Sequence, residues 1–409
     1  MSNKEKGITL IALIITIIVM LILVGVVVTV VIQSNLLGTA KTAGDKYKTA
    51  YENESNMSEV TINGEKYASI EDYIESTKPL PEIKAGERAS ETSKYQTAVI
   101  PKGFTVSNAT GEKDVSTGLV IYDIPEDTLE NVKWDGTEKT KYNPFVWIPV
   151  EVNKTTEPKD TETSIASFYR STWSNNARTT ELDSKYTEPY SFDETNEYDT
   201  STGIKSQIEN LTKSIYKYGG FYIGRYEAGS ETERKSRSGK TAIGIKQDMY
   251  PYNFVEWGES MSNIGTVGAV YLSNSLYNST KPNYGATSML CTGACWDSML
   301  DFIKDTKNVT NSTEWGNYFD SAYTVNRGKY AVLNTTNYKL ENFQDVVNEY
   351  PKAKNTSVLL TTGASEKNSA KNIYDVAGNC YEWTTESDSS NRRVFRGRRS
   401  RHQWFSLSS

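Results

Sequence analysis

The stretch Tyr374-Asp375-Val376-Ala377-Gly378-Asn379-Cys380-Tyr381-Glu382-Trp383-Thr384, followed by Arg396-Gly397, decides how this chain is read. Two carboxylates close together among backbone carbonyls offer the oxygen donors that hard cations take. The plainer reading is that Asp375 and Glu382 cap turns while Trp383 fills the core, as Trp257 and Trp296 are also expected to do. Upstream lie short apolar runs of strand character: Gly118-Leu119-Val120-Ile121-Tyr122, Phe145-Val146-Trp147-Ile148-Pro149-Val150 and Gly220-Phe221-Tyr222-Ile223-Gly224-Arg225-Tyr226. A polar insertion, about Asn153 to Gln207, separates the second run from the third; so long a connection implies disorder or a surface excursion. Two segments look helical, Phe254 to Met261 and Thr292 to Ile303. In the latter, Trp296, Met299, Leu300 and Ile303 share one face. Few helices, several short strands and long loops predict an α+β head.

Bulk properties exclude several function classes. A net charge of −6 over 409 residues argues against nucleic-acid binding, which needs a basic face. The cysteines Cys291, Cys295 and Cys380 are too few for a disulfide framework and odd in number. Three small buried thiols is one reading, and a bridge from Cys380 to Cys291 or Cys295 the other. No paired Cys-x-x-Cys motif exists for structural zinc. His402 is the single histidine, which rules out His-x-x-x-His zinc sites and two-histidine iron sites.

The N-terminus carries a different signal. From Ile8 to Ile32 there is no charged residue. As a helix this stretch would rise about 37 Å at 1.5 Å per residue, enough for a hydrocarbon core of roughly 30 Å. It is too long for the apolar part of an ordinary cleaved signal peptide. The flank Lys4-Glu5-Lys6-Gly7-Ile8-Thr9-Leu10 resembles the type IV prepilin signal, a short charged leader ending in Gly before an apolar helix. That resemblance implies cleavage after Gly7 by a prepilin peptidase, methylation of Ile8 and an outward-facing C-terminal region. Pilins of that family carry Glu at the fifth mature position, where Ala12 stands here. The resemblance therefore supports anchoring more than polymerisation into a pilus.

The expected organisation is a leader at 1–7, a transmembrane helix at 8–32, a stalk at 33–95, a globular domain at 96–397 and a basic tail at 398–409. Ala40 to Glu59 is polar and could extend the anchor's helix. Ser76 to Lys94, rich in Pro, Glu, Lys, Ser and Thr, reads as a linker.

Within the globular domain three segments resemble, in order, the sulfatase-modifying-factor (formylglycine-generating enzyme-like) family, a variant of the C-type lectin fold. They are Phe145-Val146-Trp147-Ile148-Pro149 with Phe221 to Glu227, then Pro251-Tyr252-Asn253-Phe254-Val255-Glu256-Trp257, then the opening stretch with Arg396-Gly397. The last matches the family's GN-x-WEW and RGG elements. The resemblance implies Ca²⁺ held by Asp375, the carbonyls of Gly378 and Cys380, and Glu382. Such a site works at weak affinity outside cells, where calcium is plentiful.

The family's catalysis is not expected to transfer. Its reactive, copper-binding cysteine pair follows the RGG element, whereas Arg398 to Phe405 contains no cysteine. Iron-dependent relatives would need several histidines.

Arg392 to Arg401 is arginine-dense. It is either a basic binding patch or, preferably, sequence that leaves the family frame after Gly397 by truncation or frameshift, so that the fold lacks its last strands. Three function classes follow. The first is a surface-displayed, non-catalytic binding or adhesion protein that takes a glycan or protein ligand. The second is a minor pilin or pseudopilin that contacts pilin-like subunits. The third is a formylglycine-type oxidase. The first is preferred.

Overall fold

The strand-like runs pair into one antiparallel sheet. Strands β1 (Thr105–Val106), β2 (Val120–Tyr122), β3 (Pro144–Pro149) and β4 (Gly220–Gly224) lie in the order β4-β3-β2-β1. The β3–β4 register sets Phe221 opposite Ile148 and Ile223 opposite Val146. Successive strand residues point to opposite faces, so a run that is apolar at every position must be covered on both. That is what β3 shows: Val146 and Ile148 join one buried cluster, Phe145 and Trp147 another. Each fully buried aliphatic side chain here contributes about 1.5–3 kcal/mol.

This computed structural model describes residues 98–124, 139–150, 168–179, 204–235, 241–258, 268–334, 336–337, 339–388 and 393–397, and the backbone of short strands at 60–62, 65–67, 88–89, 186–187 and 405–407. The chain divides into two compact units, Met1–Leu80 and Pro81–Ser409. In the first, Val60–Ile62 pairs antiparallel with Glu65–Tyr67. The expected leader, with Gly7 and Ile8, and the expected membrane helix at 8–32 lie outside the described residues, as does most of the 33–95 stalk. Among the described residues no helix is long and apolar enough to cross a membrane.

Among the described residues three helices cover the sheet. They are α1 (Ile204–Tyr218), α2 (Ala269–Leu276) and α3 (Gly293–Ile303). Helix α3 meets the expectation for Thr292 to Ile303. The Thr292 side chain caps it by accepting the Cys295 N–H at 3.0 Å, and Trp296, Met299 and Ile303 are buried on the sheet.

The helix expected over Phe254 to Met261 is not there. Its first five residues are loop, and Phe254 sits at φ +54°, which no α-helix tolerates. The carbonyls of Glu256 and Trp257 accept N–H groups from Ala269 and Val270, at the start of α2, instead of from their own next turn. Part of the expected polar excursion also belongs to the body, since Phe168 and Arg170 are buried.

A second set of strands builds the other half. Strand β5 (Lys329–Asn334) pairs with β6 (Val358–Leu360), and β7 (Tyr381–Asp388) pairs with β8 (Arg393–Arg396). In the basic tail, whose other residues lie outside the described set, the backbone of Phe405–Leu407 runs parallel to Tyr381–Trp383 and adds a strand to that sheet. Few helices and many short strands make the fold mixed, as expected.

Candidate functional site

The loop before β7 is shaped by left-handed backbone. Asp375, Gly378 and Asn379 have φ values of +62°, +86° and +64°. Glycine is obligatory at 378. A Cβ there would stand 2.3 Å from the carbonyl oxygen of Asn317, which runs beside the loop. The Asn317 N–H donates to the Ala377 carbonyl at 3.0 Å, and the Asn379 N–H to the Asn317 carbonyl at 3.1 Å. The Asn379 amide then ties three segments together. Its Oδ1 accepts from the Leu360 N–H at 2.9 Å, and its Nδ2 donates to Glu227 Oε2 at 2.9 Å.

Around this loop three carboxylates are buried together. Asp375 Oδ2 accepts the Gly363 N–H at 2.7 Å, and the Glu227 N–H donates to the same carboxylate. Burial nonetheless pushes Asp375 up to about 7. Glu382, the first acidic residue of β7, is raised well above the ordinary carboxylate range by burial and by the charges of Glu227 and Asp375. The Cys380 thiol is raised by burial and by the neighbouring Glu227, to which it donates a hydrogen bond. It stays protonated and is a poor nucleophile at neutral pH.

The structure thus brings Asp375, Gly378, Cys380 and Glu382 into one short loop and strand end, and it adds Glu227. Sequence reading gave Glu227 no role. The sequence shows it only as the acidic residue that ends the aromatic run from Phe221, which does not place it beside Asp375 and Glu382. Asp375 also caps a turn, as the plainer reading expected, and Trp257 and Trp296 are core residues. Among the described residues no group of three or more His, Cys, Asp or Glu side chains stands arranged to hold a metal ion. A site of two carboxylates and two main-chain carbonyls has no need of a third side chain. Buried carboxylates that repel one another have two chemical outcomes. They keep a proton, or they share a divalent cation.

At the far end of β7 a second acidic pair is fully neutralised. Glu386 accepts from Arg170 Nε and Arg396 Nη2, both at 2.5 Å, and Arg170 also pairs with Asp297 on α3. Burial alone would raise Glu386, but the guanidinium groups of Arg396 and Arg170 hold it below the ordinary value. Cys291, Cys295 and Cys380 are all buried thiols, without a disulfide between them. No family model, curated protein or solved structure matches this chain.

Proposed function

We propose that this protein is a membrane-anchored, surface-displayed binding or adhesion protein, with a non-catalytic lectin-like head outside the cell on a pilin-type anchor. The observation that carries the reading is the uncharged stretch from Ile8 to Ile32 directly behind Lys4-Glu5-Lys6-Gly7. A prepilin peptidase would release Ile8 as the mature N-terminus. The head's buried thiols support the non-catalytic assignment, since thiolate chemistry needs an accessible, acidified cysteine.

In the same reading Asp375, Glu382 and the carbonyls of Gly378 and Cys380 hold a structural Ca²⁺. The ion would offset the burial that raises both carboxyls and the repulsion from Glu227 and Asp375 that raises Glu382 further. Glu227, beside them, adds to the negative potential that attracts it.

Mass spectrometry of the protein purified from its native membrane tests the proposal. The expected N-terminal peptide begins with N-methylated Ile8, and protease added to intact cells removes the head. A chain that keeps residues 1–7 and a head protected from protease would contradict it.

A further inference from the structure

A cleft of about 790 Å³ opens on the sheet where β3 and β4 meet α1 and the segment 277–292. Its volume falls in the range of sites that hold small organic ligands. The floor is aromatic. The Trp147 and Tyr222 rings meet edge to face at 4.9 Å between centroids, and Phe104, Tyr277 and Tyr284 interlock at 5.0–5.6 Å. Tyr218, Tyr222 and Tyr284 keep part of each ring exposed to the cleft. Above them the mouth is polar, with Asn210, Ser214, Asn274 and Thr287 among its residues.

The cleft is also one-sided in charge. Acidic residues number 51 in a chain with 45 basic ones, yet among the described residues none lines the cleft, while Lys102 and Lys281 both do. Lys102 donates to the Pro282 carbonyl at 3.4 Å, in the turn after α2, and Lys281 of that turn donates to the Leu276 carbonyl at the end of α2 at 2.6 Å. That turn is itself clamped to the segment bearing Lys102. The Gly285 N–H donates to the Lys102 carbonyl at 2.8 Å, and a Cβ on Gly103 would meet the Asn283 oxygen at 2.6 Å. The two charges and the Tyr284 ring therefore sit on one preorganised wall, which lowers the ordering cost of binding.

We infer that this cleft binds an anionic sugar, a pyranose ring carrying a carboxylate or a sulfate. Partly exposed tyrosine rings offer flat apolar surface to the C–H face of such a ring. Asparagine amides donate and accept toward neighbouring hydroxyls, and the lysine pair receives the acidic group. A purely apolar ligand would leave the amide rim dehydrated without partners, which costs free energy. A cationic ligand would meet like charge at Lys102 and Lys281. The inference rests on the binding-protein reading proposed above and gives it a site and a ligand class, independent of the carboxylate cluster.

The test uses the full-length protein in detergent micelles on an array of uronate-bearing, sialylated and sulfated oligosaccharides beside their neutral counterparts. The retained glycans should be anionic, with each neutral counterpart bound at least about tenfold more weakly. Sulfated and carboxylated arms separate the two sources of negative charge. The double variant Lys102→Glu and Lys281→Glu changes exposed residues, so its thermal midpoint should stay within a few degrees of the unmodified chain. Its affinity should fall at least tenfold. Equal retention of neutral counterparts, or no anionic glycan retained, would overturn the inference. Glycan binding that survives the double variant unchanged would also overturn the cleft assignment, while leaving the binding-protein reading in place. Failure of the membrane and surface experiments would sink the anchored, surface-displayed part of that reading and is read out separately from the glycan array.

Discussion

Strand β7 carries Glu382 near one end and Glu386 four residues on, both buried, and their surroundings could hardly differ more. Glu386 faces the guanidinium groups of Arg170 and Arg396, and its proton affinity is lowered. Glu382 faces the carboxylates of Glu227 and Asp375, and its proton affinity is raised. The first arrangement is complete within the chain and ties β7 to α3 through Asp297. The second is not neutralised at Glu382 by any cationic side chain among the described residues, so its carboxyls hold protons or would need a cation from outside. Two glutamates on one strand therefore sit in opposite settings, Glu386 neutralised by guanidinium groups and Glu382 set among other carboxyls.

The largest effect should come from breaking the complete cluster. Arg170→Met leaves Glu386 paired with Arg396 and removes the guanidinium bonded to buried Asp297, and it should cost about 3–5 kcal/mol of stability. Glu382→Gln in calcium-free buffer should cost less than about 1 kcal/mol, or stabilise, because it removes repulsion rather than a partner. Denaturant titration of both variants checks the contrast. Similar losses for the two would break it.

The next effect is a pH dependence of opposite sign at the two ends of the strand. Asp375 rises from 3.8 in the unfolded chain to about 7 when folded. Its contribution is fully present below about pH 4 and is lost as pH climbs through 7, a change on the order of 4 kcal/mol. Glu386, lowered on folding, contributes stability above its unfolded value, lost as the solution turns acid. Calcium-free thermal melts of wild type and Asp375→Asn between pH 4 and 8 isolate the first effect. The two curves should run together near pH 4 and separate as pH rises, wild type falling below the variant, and parallel curves would refute the assignment.

A smaller effect, about 1–3 kcal/mol, should follow Gly378→Ala. That variant strains a left-handed position and drives a methyl into the backbone of Asn317. Calcium response should weaken with it, since the carbonyl of residue 378 is one of the expected ligands. A variant as stable as wild type, with its calcium response intact, would detach the loop geometry from the site.

Much of this was legible in the sequence, for physical reasons that differ by element. The runs at 145–149 and 220–224 announce themselves because a strand covered on both faces is apolar throughout. Helix α3 shows through its cap and its spacing. Helix α1 was missed although Ile204, Ile208, Leu211 and Ile215 follow helical spacing, because the polar residues between them blend into the insertion before it. Phe254 to Met261 misled for the opposite reason. Apolar spacing cannot report a left-handed residue such as Phe254, or carbonyls already committed to α2. The loop from Asp375 to Glu382 was visible as a donor-rich motif. Its third carboxylate was not, because Glu227 lies far off in sequence and only the fold brings it near. The anionic-sugar cleft was likewise invisible, since its lysines and tyrosines come from separate segments.

The claim that Glu382 and Asp375 serve a cation is tested most directly by calorimetric titration of Ca²⁺ into the full-length protein at pH 6 and pH 8, each in two buffers of different ionisation heat. The account predicts binding that is tighter at pH 8, with protons released to the buffer because the carboxyls must ionise to accept the ion. At ten times the dissociation constant the folded state should gain about 1.4 kcal/mol. Glu382→Gln should abolish the heat. Saturable calcium binding that persists in Glu382→Gln, or no binding by the wild type at millimolar calcium, would contradict the account.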